Sequence, residues 1–184
     1  RSSMYWKLRV WPVLRSFYIQ VQITNEIRMN EEIVKAYEQL KKEYRLPDFE
    51  KINSEFQISS LENKDFLLRD IMGKITEQIE FMNSILAPII QPDANILNDL
   101  HECRGFNDDE KKQIFELYSR LMVIHKLSLE LALVNDDKEI ANFINDTFKI
   151  WYELKQSVVK NIKKIRKIWE NGISDIKEDL GYLG

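Results

Sequence analysis

A single cysteine, four prolines and five glycines in 184 residues leave this chain few devices that staple or break it. Cys103 alone excludes an intramolecular disulfide and any zinc site built on several cysteines. The shortage of Gly and Pro argues against a β-sandwich, which needs frequent turns, and favours long helices. No apolar run approaches the roughly 18 residues that span a bilayer; VWPVL and FYIQVQI are short and interrupted, so no transmembrane segment is expected. Charge is nearly balanced but unevenly placed. Residues 1–28 carry Arg1, Lys7, Arg9, Arg15 and Arg28 against Glu26, a net of +4; with −3 overall, residues 29–184 hold −7. An acidic body is not a general nucleic-acid binder, although a local basic patch on it can be. The lone cysteine suits a reducing compartment, and a cytoplasmic location is expected.

What the sequence does contain is helical patterning. Asn30 is placed to cap a helix with apolar residues Ile33, Tyr37, Leu40 and Tyr44, which Pro47 ends. A short helix is expected from Asp48, then a loop. Ser59 with Glu62 has capping-box spacing and predicts a helix through Phe66, Ile71, Ile75, Ile79, Met82 and Leu86, closed or kinked by Pro88 and Pro92. Asp93 predicts a short helix that Gly105 ends in the left-handed region. Asn107 and the acidic turn Asp108-Asp109-Glu110 start a helix over 108–134, about 40 Å long. Its apolar residues fill two sides, Ile114, Leu117, Leu121, Ile124 and Leu131 on one and Phe115, Met122 and Leu129 on another, which predicts the most buried helix of the fold. Asp136 with Glu139 opens a last helix, periodic from Ile140 to Trp169, that Asn171-Gly172 should stop. The expected fold is all-α, an antiparallel bundle of about four main helices plus short ones, with 29–184 as the domain.

Residues 1–28 read differently. Phe17, Ile19, Val21 and Ile23 alternate with polar neighbours, as do Trp6, Leu8 and Val10, which is strand-like. Such an extension fits an edge hairpin, a leader or an added tag, and an isolated hairpin is marginal in water.

The residues that could carry chemistry are few. A di-metal centre in a bundle uses Glu-x-x-His, but Asn98 precedes His101 and Met122 precedes His125 at that spacing. Glu77 and Glu80 share a helix face without a matching acidic pair on the next helix, so no metal or other cofactor is expected. His101 and Cys103 point apart on a helix, and a cysteine at a helix C-terminus disfavours the thiolate; Cys103 is expected buried and inert. Arg120-Leu-Met-Val-Ile-His125 resembles the Arg-x4-6-His motif of HEPN domains, small all-α bundles that include dimeric ribonucleases. The resemblance covers six residues, with Leu121 where that family usually has a polar residue. It implies Arg120 and His125 acting on an RNA phosphodiester at a dimer cleft. The alternative is Arg120 paired with Glu116 one turn earlier and His125 in packing.

KQSVVKNIKKIRKIW, residues 155–169, carries Lys155, Lys160, Lys163, Lys164, Arg166 and Lys167 and no acid. With Val158, Val159, Ile162, Ile165 and Ile168 interleaved, it forms a basic amphipathic helix, suited to a protein groove, an anionic membrane surface or a phosphate backbone. Lysines near a helix C-terminus also favour the dipole and cover core edges with their stems. The function expected is a non-catalytic protein-interaction or adaptor module with this face as its binding site. A protein partner is expected, with homodimerisation open, and a HEPN-like ribonuclease or RNA-associated protein is the alternative.

Overall fold

A computed structural model describes residues 31–61 and 63–181, with 172–181 described by backbone alone. The expected strand-like extension, and the cap at Asn30, lie outside these residues. Among the described residues the chain is mostly helical and contains no strand. It divides into two compact units, 1–70 and 71–184.

The first unit contains helix α1, residues 31–44, whose buried Ile33 and Tyr37 lie one turn apart. Arg45 ends it in the left-handed region, φ 55°. Helix α2, Phe49–Phe56, buries Phe49, Ile52 and Phe56, and Gln57 closes it at φ 52°. Tyr37 meets Phe49 edge-on, ring centroids 5.4 Å apart, and donates its hydroxyl to the Pro47 carbonyl at 2.8 Å. Burial, with Glu38 and Asp48 nearby, pushes the Tyr37 phenol well above its ordinary range. The Asp48 side chain does not cap α2; it pairs with Lys41 at 3.0 Å and Lys51 at 3.2 Å, which hold its carboxyl below the ordinary value.

Ser59 does not cap the helix expected from it, and Glu62, its expected partner, lies outside the described residues. Ser59 lies in a single 3-10 turn, Ile58–Ser60, where its N–H donates to Asn53 Oδ1. Helix α3, Leu67–Ile90, begins later, leaving Phe66 exposed beneath Arg69. Pro88 sits within the last turn and the helix runs on two residues beyond it. From Leu67 to Ile89, α3 buries Leu67, Leu68, Ile71, Met72, Ile75, Ile79, Met82, Asn83, Leu86 and Ile89.

In the second unit α3 from Ile71 onward is joined by α4, Leu97–Arg104, α5, Asp108–Val134, and α6, Asp137–Gly181. The capping box at Asn107 and Glu110 forms as expected, and Asp136 Oδ1 accepts from the Lys138 and Glu139 N–H groups at the start of α6. Glu80 with His125 and Asn83 with Met122 link α3 to α5; Glu110 with Lys164 and Arg120 with Glu153 link α5 to α6. In each case the pairs run in opposite order along the two helices, so α3, α5 and α6 are successive antiparallel neighbours.

Two expectations are corrected. Helix α5 buries one side only, Ile114, Leu117, Leu121, Ser128 and Leu131, while Phe115 and Leu129 are exposed; α3 takes the buried role. Apolar periodicity marks what a helix can bury, and here the second apolar side is covered only in part, at Met122, which accepts from Asn83 on α3. Helix α6 continues through Asn171-Gly172 to Gly181, because a glycine inside a helix costs about 1 kcal/mol and does not forbid the turn.

Candidate anion-binding groove

Along α6 the burial changes character. Ile140, Phe143, Ile144, Trp151, Leu154 and Val158 are buried, whereas beyond Val158 no residue up to Asn171 is. The C-terminal half therefore keeps its apolar period but covers only the edge of the core. There Lys160, Lys163, Lys164 and Lys167, with Gln156, Val159, Ile168, Asn171 and Gly105, line a groove of about 630 Å3. The spacing of three and four residues places all four ammonium groups on one helix face. Lys155 and Arg166 lie on the opposite side of α6 and outside the groove lining; Arg166 pairs with Glu170 at 3.3 Å. The structure thus brings together four of the six basic residues singled out in the sequence.

The acidic N-terminus of α5 meets one of them. Lys164 forms an ion pair with Glu110 and lies 4.7 Å from the centre of the Phe106 ring. Glu110 is also the capping-box acid, accepting from the Asn107 N–H at 2.9 Å. Lys164, and then the Asn107 N–H, hold the Glu110 carboxyl below its ordinary value. Lys163 and Lys167 line the groove and make no ion pair among the described residues.

Gly105 closes the groove wall. Its φ is −76°, not left-handed, so the expected conformational role is wrong; what it provides is space. A Cβ there would lie 2.2 Å from Ile168 Cδ1 and 2.6 Å from Cγ1. Beside it, Trp169 donates Nε1–H to Glu102 at 2.8 Å and meets His101 with the rings tilted at 51°, centroids 4.6 Å apart. His101 is thus a packing residue at the last turn of α4, with Nε2 sealed from solvent. Cys103 is half-buried rather than buried.

Arg120 and His125 do not converge within one chain. Arg120 Nη1 lies 2.8 Å from Glu153 Oε1 on α6, and His125 Nε2 lies 2.9 Å from Glu80 Oε1 on α3. The expected Arg120–Glu116 pair is therefore replaced by one across helices, while His125 is half-buried beside Glu80. Glu77 and Glu80 also separate, the first toward Lys74 and the second toward His125. Among the described residues no three metal-ligating side chains gather, and no helix is long and apolar enough to cross a membrane.

Sequence reasoning found the lysines and the apolar residues between them, but missed Gly105 and Glu110. Glu110 reaches Lys164 from 54 residues away along the chain and Gly105 meets Ile168 from farther still, and neither carries a local signal of it. No known protein family matches this chain, and neither a curated protein nor a solved structure is significantly similar to it.

Proposed function

We propose that the chain is a non-catalytic binding module whose α6 groove takes an acidic protein segment. The observation that carries this reading is the gathering of Lys160, Lys163, Lys164 and Lys167 around one groove on a chain whose residues 29–184 are net acidic. Its composition favours a peptide over a nucleic acid. Val159 and Ile168 supply apolar surface for side chains between the acids. Among the described residues the lining contains no arginine for bidentate phosphate contacts and no aromatic ring for base stacking. Lysine ammoniums are point charges that suit carboxylates arriving at varied angles.

The test uses a fluorescein-labelled peptide of alternating Glu and Leu, and a single-stranded oligonucleotide of equal charge. Lys163→Glu/Lys167→Glu should weaken the peptide about tenfold or more at low salt, with the difference shrinking as salt rises. Arg166→Glu, which changes charge outside the groove, should change it much less. Equal loss in the groove and control variants, or tighter binding of the oligonucleotide, would overturn the reading.

A further inference from the structure

The outward face of α5 carries a pattern that no ion pair among the described residues uses. Lys112, Glu116, Ser119, Val123, Lys126 and Glu130 recur at intervals of four, three, four, three and four residues, one continuous stripe on a helix. Lys112, Glu116, Lys126 and Glu130 are exposed and make no ion pair among the described residues. Within the helix each lysine precedes its glutamate by four, the weaker order for such a pair. Arg120, the natural i+4 partner of Glu116, is instead held by Glu153. On one flank of the stripe, Phe115 and Leu129 are 54% and 45% exposed; within it Val123 is 69% exposed.

This stripe is complementary to itself when reversed. We infer that two copies of the chain pair antiparallel through α5, around a two-fold axis at the level of residue 121. Lys112 then faces the partner's Glu130, Glu116 faces the partner's Lys126, and Ser119 faces the partner's Val123. Each contact occurs twice, as a two-fold interface requires. Phe115 approaches the partner's Leu129 on the flank, so the apolar surface left open in one copy is covered by the other. A parallel pairing would set each lysine against the same lysine and each glutamate against the same glutamate, so the charge pattern selects the antiparallel one. The stripe is roughly 27 Å long at 1.5 Å per residue. One helix face buries less than the roughly 800 Å2 per partner of a standard interface, so the dimer is concentration-dependent.

Sedimentation velocity of the full chain over a concentration series tests this. Wild type should pass from monomer to dimer as concentration rises. Glu116→Lys alone and Lys126→Glu alone should each weaken association about tenfold or more, because each sets like charges face to face twice. The double variant, with charges exchanged, should recover it, while helical circular dichroism stays unchanged in all three. A wild type that remains monomeric at the highest concentration, or a double variant no better than the singles, would overturn the inference.

Discussion

Gln57 and Arg45 both end helices in the left-handed region, at φ 52° and 55°, without being glycine. An L-residue there brings its Cβ close to a carbonyl oxygen at a cost of about 1–2 kcal/mol, partly offset in any comparison by the greater unfolded freedom of glycine. Gln57→Gly should therefore stabilise the protein by about 0.5–1 kcal/mol in chemical denaturation. Asn135, at φ 63°, is already suited to its place and should gain little. Gly105 is the converse. Its φ is ordinary but its missing side chain lets Ile168 approach, so Gly105→Ala forces a stiff β-branched neighbour to move. A loss of roughly 1–2 kcal/mol is expected from such overpacking, read as a lower melting temperature.

At the scale of elements, α3 and α5 exchange the roles their patterns suggest. Ile79 on α3 is fully buried and Leu133 on α5 is 88% exposed, although both are large aliphatic residues at periodic positions. Ile79→Ala should cost about 2–5 kcal/mol by leaving a cavity, and Leu133→Ala less than about 0.5 kcal/mol. A comparable loss at Leu133 would show that a neighbour covers that side of α5. The α5–α6 register carries a pH signature through Glu110 and Lys164. Because the folded carboxyl titrates below its ordinary 4.5, its contribution to stability is present above that pH and is lost as pH falls through the lowered value. The stability gap between wild type and Lys164→Met should be largest near neutrality and close in acid. A gap that persists in acid would assign the role of Lys164 to its packing on Phe106.

At the scale of the whole molecule, charge is partitioned rather than mixed. The body from residue 29 is net acidic, and four lysines gather on the part of α6 where no residue from 159 to 171 is buried. Among the described residues the core runs from Ile33 to Val158, with helix starts fixed by side-chain caps at Asn107 and Asp136. A chain beginning at Met29 should accordingly keep a cooperative thermal transition with unchanged helical circular dichroism. Loss of that transition would make residues 1–28 integral to the fold.

The sequence by itself determined the helices, the ends set by Asn107 and Asp136, and the basic face of α6, since these depend on residues within a turn or two of one another. Local rules also misjudged some ends. Ser59 was drawn into contact with Asn53, and Asn171-Gly172 was too weak a stop to overcome helix propagation. Only the tertiary structure decided which apolar stripe is covered, that Arg120 turns to Glu153 rather than Glu116, that Gly105 borders the lysine groove and that Glu110 pairs with Lys164. Those outcomes depend on side chains tens of residues apart competing for the same space and charge, and periodicity along one helix contains no information about its neighbours.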